Sequence, residues 1–404
     1  MMGLLRKMDV GRRKTPNEVI DHKNAPASKR RYERAFANLA KDGPKEGHDR
    51  VAAFVKCEKW PESSLLVKPP RLIQYRSFEF CAELSTWVLA IEEELWKSTK
   101  GGVPIFAKGM NSFAVAKMMV DAMSQYEDPV FVLADHSKFD SCVMRRWKRA
   151  LKKFFVAAFP GEERLGELLD MMMSNRAWTK SGVKYTCTAR EMSGEYTTSV
   201  DANLVNYSVL SDVFRFVRHH SGLNGDDSWT VLERRDLAKV DLSPSVWKRY
   251  GFKTTWKVVD VLEEVEFCQC QPVEIREGLW RMVRTPRRAI SRSMISVKRY
   301  QGEAWKRLVR SMGMSELACA DGVPVLQAWG DAMLRAAGPV KELDREISYR
   351  ARLESTLRPA VVNVTEVARA SFERAFDMDA DEQRYIESWL ASVTMRVVPY
   401  DAGI

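Results

Sequence analysis

The sequence predicts a mixed α+β fold, with an α/β core followed by a mainly helical C-terminal part. Three observations predict it. Short apolar strand candidates alternate with segments of helical periodicity across residues 51–273. From residue 280 onward, helical and arginine-rich segments take over. No internal repeat or low-complexity block interrupts either part. The chain is also long enough: its 404 residues, 45% hydrophobic and 29% charged, can bury one or more sizeable cores. That composition excludes a disordered tail and a disulfide-stapled mini-protein.

The elements follow in order. Residues 1–50 are basic and polar, and Lys29, Arg30, Arg31 and Arg34 open a helix through Leu39. VAAFVKCEKW at 51–60 reads as a short strand. LLVKPPRLIQYR at 65–76 reads as extended or looping, because each proline restricts itself and its predecessor. Helical periodicity covers 78–97, and PVFVLA near 130–134 is a buried strand ending at Asp135. Residues 141–156 and 162–173 are helical, with Met171 to Met173 as packing groups. Tyr185 to Thr188 form a strand, 200–220 a helix, and SGLNGDDSWTVL a turn between two short strands. Residues 244–250 form a helix, and Lys257 to Leu262 and Val265 to Cys268 resemble strands.

Charge and cysteine usage narrow the function classes. Lys plus Arg is 64 against 54 Asp plus Glu, a formal charge of +10 that permits a polyanionic partner without demanding one. Seven scattered cysteines, with no C-x-x-C pair, argue against a disulfide framework or a zinc knuckle and fit a reducing compartment. No apolar run reaches the roughly 18 to 20 residues that span a bilayer. The start, MMGLLRKMDVGRRK, does not read as a signal peptide.

The sharpest local signals are acidic. Asp135 and Asp140 lie in DHSKFD, and Asp226 and Asp227 in NGDDS, each beside a strand-like segment. A hairpin turn can carry Asp226 and Asp227 beside the end of the Asp135 strand. Carboxylates converging there repel one another unless cations neutralise them. Two magnesium ions, with manganese as a substitute, suit oxygen ligands and can bridge carboxylates to phosphate oxygens. Asp135 and Asp226 are the principal ligand candidates, with Asp227 tuning the pair.

These motifs belong to a longer ordered set. FVKCEK (54–59), KPPRLIQYRSFEFCAEL (68–84) and FAKGMN (106–111) precede DHSKFD (135–140). MSGEYTTSVDAN (192–203), NGDDS (224–228) and EFCQCQPV (266–273) follow it. Together they resemble a viral RNA-dependent RNA polymerase, most nearly the tombusvirus-like group. The resemblance implies a closed right hand: an N-terminal extension and fingers over 1–134, palm over 135–165, a fingers insertion over 166–190, palm again over 191–279, and thumb and C-terminal region over 280–404.

It also implies roles. Asp135, Asp226 and Asp227 hold the metal ions, and Asp140 sits beside the nucleotide ribose. Lys68, Arg71 and Arg76 line the triphosphate entrance, with Arg76 the closest phosphate contact and Lys56 and Lys59 adding long-range attraction. Lys108 and Asn111 help organise the fingers. Ser193 and Gly194 begin a flexible loop that positions template and nucleotide, and Thr198 keeps the family spacing. One position departs from the pattern: Ala202 stands where the family has asparagine, and Asn203 follows. A one-residue bulge would let Asn203 reach the ribose, with Asp201 as a weaker substitute. Lys257, then Lys253, is the candidate general acid for pyrophosphate. Cys268 and Gln269 lie in a turn that grips the nascent-strand backbone.

Beyond that turn, seven basic and no acidic residues occupy 281–299. Arg281, Arg284, Arg288 and Arg292 have helical-face spacing, interrupted by Pro286, suited to an RNA backbone. The implied reaction is template-directed RNA synthesis from ribonucleoside triphosphates in the host cytoplasm, with template and nascent RNA and a viral membrane-associated replication protein as partners. A reverse transcriptase and a non-catalytic RNA-binding replication factor are the alternatives.

Overall fold

The computed structural model describes residues 1–60, 62–293, 295–298, 300, 302–340 and 360–394. The fold is mixed α+β. It divides into two compact units: one of Met1–Ala107 and Ala134–Lys257, the other of Lys108–Leu133 and the described residues from Val258 onward.

Ten strands lie wholly or partly in the first unit: β1 (Val51–Val55), β2 (Leu72–Tyr75), β3 (Thr99–Lys100), β4 (Val103–Pro104), β5 (Pro129–His136), β6 (Ser174–Thr179), β7 (Lys184–Thr188), β8 (His219–Asn224), β9 (Asp227–Glu233) and β10 (Thr254–Val259). One sheet has the order β2-β1-β6-β7. In it β1 runs antiparallel to β2 and parallel to β6. A second sheet has the order β10-β5-β9-β8. The hairpin between β8 and β9 pairs Asn224 with Asp227, leaving Gly225 and Asp226 as a two-residue turn. Gly225 has φ +76°, the left-handed geometry that a type II′ turn places at its first central residue.

Helices surround these sheets. The helix Phe78–Leu95 opens on Ser77, whose hydroxyl accepts the Phe80 N–H at 3.1 Å. It packs against Pro16–Asp21 and Pro26–Asp42 through Val19, Tyr32, Ala35, Ala82 and Leu89.

The second unit holds the hairpin of β11 (Cys270–Arg276) and β12 (Leu279–Arg284). Six helices accompany it among the described residues: Ser112–Met123, Pro286–Ser293, Glu303–Ala320, Leu326–Ala337, Glu366–Phe376 and Ala380–Ser392. Its core gathers Val273, Val283, Ala320, Leu326 and Phe372. Among the described residues no helix is long and apolar enough to cross a membrane.

Three expectations change. The helix expected over 200–220 ends at Val213, and His219 opens β8. Val265 and Glu266 are irregular and Phe267 makes a single bridge to Cys270, so no strand covers Val265 to Cys268. Arg281 and Arg284 lie on β12, where an odd offset places them on opposite faces. Pro286 starts the following helix instead of interrupting one, since a first-turn residue needs no backbone donor. Met294 and Arg299 of the basic run, and parts of the expected C-terminal region, lie outside the described residues.

Candidate active site

Asp135 sits near the end of β5, Asp226 on the β8–β9 turn, and Asp227 at the start of β9. Asp140 lies on the short helix Phe139–Cys142. The Asp226 residue reaches solvent, yet partial desolvation of its carboxyl raises it above its ordinary range, and the charge of Asp135 raises it further. Burial also raises Asp140, with the charge of Asp226 adding to it. Asp226 thus feels Asp135, and Asp140 feels Asp226, while Arg71 opposes the effect on both shifted groups. The Arg71 guanidinium is forked onto Glu58, with Nε 2.7 Å from Oε2, and Lys56 Nζ lies 3.3 Å from the same carboxylate. Glu58 thus tethers two cations whose side chains stay largely or partly open to solvent.

The turn carrying Asp226 is clasped from the helix Thr198–Val213. Asn206 Nδ2 donates to the carbonyls of Gly225 and Asp226, each at 3.0 Å. Asn203 Oδ1 accepts the Gly225 N–H at 3.1 Å, while its Nδ2 donates to the Ser199 carbonyl at 2.8 Å. Both carboxamides are buried. Asn203 is therefore committed to the turn, not presented to a ribose as the one-residue bulge would have it. His136, next to Asp135, supports the clasp. Its Nε2 lies 3.4 Å from Asn206 Oδ1 and its Nδ1 2.7 Å from Thr254 Oγ1. Because Asn206 uses its N–H groups on the carbonyls, His136 must donate from Nε2 and accept at Nδ1. Burial lowers the imidazole to about 4, so the ring is neutral. It packs among Phe139, Trp247 and Phe252.

The SG segment docks on β2. Ser193 Oγ donates to the Leu72 carbonyl at 3.0 Å, and the Gly194 N–H donates to Gln74 O at 2.8 Å. A Cβ at Gly194 would stand 2.7 Å from Gln74 O, so only glycine allows this approach. The expected flexible loop is thus pinned at its first two residues. Beneath it lies a buried ionic cluster. Lys148 Nζ is 2.9 Å from both Glu191 Oε2 and Asp201 Oδ2, and 3.8 Å from Glu195. Burial pulls Lys148 down, but Asp201, Glu191 and Glu195 together hold it well above the ordinary lysine range. Burial raises Glu191, against the pull of Lys148. The Thr198 hydroxyl lies 2.9–3.1 Å from Glu191 Oε1 and the carbonyls of Met192 and Glu195.

Arg76 joins the same cluster. Its Nε bonds Glu195 Oε1 at 2.8 Å, and its terminal nitrogens bond Asn175 and the Asp49 carbonyl. Only 2% of the residue is exposed, which corrects its expected place as the closest phosphate contact. A guanidinium with three protein partners in the interior has no free face for a triphosphate.

The sequence profile of the viral RNA-dependent RNA polymerase family matches residues 4–398. The chain belongs to this family. Its relatives are tombusvirus-like. The RNA-directed RNA polymerase of Carnation mottle virus is 29% identical over 376 residues, covering 90% of this chain and 49% of that protein. That of Tomato bushy stunt virus (strain Cherry) is 29% identical, covering 90% and 46%. That of Cucumber necrosis virus is 30% identical, again covering 90% and 46%. The chain spans about half the length of the curated relatives it matches.

Other residues expected to serve a viral polymerase of this family are distributed as follows. Lys68 and Lys257 are exposed, Lys257 on β10 and Lys59 half-buried near Glu58 in sequence. Cys268 and Gln269 form a two-residue turn closed by paired backbone bonds between Phe267 and Cys270 at 2.8 and 3.0 Å. Both adopt the left-handed region, at φ 53° and 64°, which non-glycine residues enter only at a cost of about 1–2 kcal/mol each. Arg288 and Arg292 are exposed on the helix Pro286–Ser293. Arg281 is fully buried: it pairs with Asp321, donates to the Ala318 carbonyl at 3.0 Å and to Ser112 Oγ at 3.2 Å, and stacks on Phe113. Arg284 pairs with the buried Glu316. These two correct the expectation of an RNA-facing arginine row. Sequence reasoning missed His136, Lys148, Glu191, Glu195 and Asn206. An asparagine three positions after Asn203, on the same helical face, was the available signal for the clasp.

Proposed function

We propose that this chain carries out template-directed RNA synthesis from ribonucleoside triphosphates during replication of a positive-strand RNA virus genome. The observation that carries the reading is the placement of Asp135 near the end of β5 and of Asp226 and Asp227 at the turn into the neighbouring strand β9, inside a chain of the polymerase family. An N-terminal extension and the fingers are assigned to 1–134 with a fingers insertion at 166–190, the palm to 135–165 and 191–279, and the thumb and C-terminal region to 280–404.

Among the described residues no group of three or more His, Cys, Asp or Glu side chains forms a metal cage. Magnesium is commonly held by one or two carboxylates and completes its shell with water and substrate phosphates. The donor set is all oxygen, and its crowded negative charge needs a cation. Asp135 and Asp226 would hold two ions, with Asp227 tuning them; manganese would substitute. When bound, the ions supply charge stabilisation for nucleotidyl transfer.

The chain's own residues do the rest. The RNA 3′ oxygen bonds to the α-phosphorus while the bond to pyrophosphate breaks. Arg71 and Lys68 receive the triphosphate, with Lys56 and Lys59 raising the local positive potential. Lys257, or else Lys253, delivers a proton to pyrophosphate. Asp140 contacts the ribose. Ser193, Gly194 and Thr198 hold the template-side segment. Asn203 and Asn206 keep the catalytic turn in place, Arg76 positions the SG segment, and Cys268 and Gln269 hold the nascent strand. Arg288 and Arg292 face RNA. The setting is the host cytoplasm, with a membrane-associated viral replication protein as partner.

The test is magnesium-dependent incorporation of labelled nucleotides. Asp135→Asn and Asp226→Asn should each nearly abolish extension while retaining RNA binding. Normal incorporation by both variants would sink the assignment.

A further inference from the structure

The helix Pro26–Asp42 carries three exposed arginines, Arg30, Arg31 and Arg34, that the site above does not use. They border an open cavity of about 480 Å³ whose floor includes Ala35 and Phe78. None of the three is in an ion pair among the described residues; neighbouring ion pairs such as Lys29–Asp21 leave them out. The acidic lining residue, Glu79, is occupied by Asn38 at 2.9 Å. Phe78 is 40% exposed, and the Arg31 guanidinium lies 5.4 Å from its ring centre. Arg30 and Arg34 are one helical turn apart, about 6 Å along the axis.

We propose that this groove is a second RNA site, taking a single-stranded segment with its phosphates on the arginines and one base on Phe78. This rests on the RNA-synthesis reading for the identity of the polyanion. Guanidinium groups suit phosphate oxygens, and an exposed ring beside an arginine plane is the surface on which unpaired bases stack. An anionic bilayer fits worse. The helix already buries Tyr32 and Ala35 against Phe78–Leu95, so it has no apolar face to insert.

The experiment uses the full chain and a labelled single-stranded oligoribonucleotide, with affinity measured across salt concentrations. Replacing all three arginines (Arg30→Gln, Arg31→Gln, Arg34→Gln) should make the log–log salt slope shallower by about 2. Each single change should reduce it by about 0.7. Phe78→Leu should weaken binding about tenfold with the slope unchanged. Unchanged slopes in the single and triple variants overturn the proposal. So does loss of binding to phosphatidylserine vesicles with RNA binding intact. Single-nucleotide addition on a short preformed primer–template should stay within about twofold in the triple variant. If the intact chain adds no nucleotide at all, the function reading fails while the binding result stands on its own.

Discussion

Replacing Asn206 with alanine should loosen the turn that carries Asp226. The change removes two hydrogen bonds of 3.0 Å to the Gly225 and Asp226 carbonyls and the 3.4 Å partner of His136. Each good bond is worth about 1 kcal/mol net, and the orphaned, buried His136 donor costs about another 1–3 kcal/mol. The expected loss is on the order of 3–5 kcal/mol, a large share of the roughly 5–15 kcal/mol that stabilises a typical domain. Asn206→Asp keeps the volume but cannot donate, so it separates the lost donor from the lost packing. Both variants should lower the single-nucleotide extension rate by about 100-fold, the order associated with an ångström-scale misplacement. Urea denaturation gives the stability, and single-turnover extension at saturating magnesium gives the rate. A double-mutant cycle with Asn203→Ala should show coupling of at least about 0.5 kcal/mol, because both side chains hold Gly225. An Asn206→Asp chain that extends RNA at the unaltered rate would refute the clasp.

Two further outcomes follow from buried groups. Arg281→Ala should destabilise its unit by about 3–5 kcal/mol in urea denaturation, because it strands Asp321, yet leave the salt dependence of RNA binding unchanged. A shallower salt slope with intact stability would restore Arg281 to the RNA surface. Burial lowers His219 from 6.5 to about 4, so it folds as the neutral form. Its contribution is fully present above pH 6.5 and is lost as pH falls from 6.5 toward 4. At about 1.4 kcal/mol per unit this amounts to at most ~3 kcal/mol. Thermal melting across that range should show it, and His219→Phe should flatten the acid limb.

Local patterns made much of the fold legible. PVFVLA is apolar throughout because β5 is an interior strand of its sheet, and the strand runs one residue past Asp135, to His136. The NG-D-D spacing announced the hairpin because a two-residue turn has few chemical solutions. What escaped depended on contacts distant in sequence. Arg76 and Glu195 are 119 positions apart, and no local pattern says that this arginine turns inward. The Arg281 spacing mimicked a helix because an arginine row fits either period once its residues are taken singly. Helix 200–220 was extended too far because His219 and His220 have no strong propensity to signal β8. Ala202 drew attention to a missing asparagine, while Asn203 and Asn206 were holding a backbone turn.

The Lys148 cluster also limits how this chain can change. Two cations, Lys148 and Arg76, face three acids, Glu191, Glu195 and Asp201, in the interior, and burial raises Glu191 toward its neutral form. Deleting either cation leaves buried carboxylates without their counterpart, at about 3–5 kcal/mol. Most single steps away from this arrangement therefore lead through a poorly folded chain. Alternative sequences lie on the far side of paired changes, so these five positions are expected to change together and not one at a time.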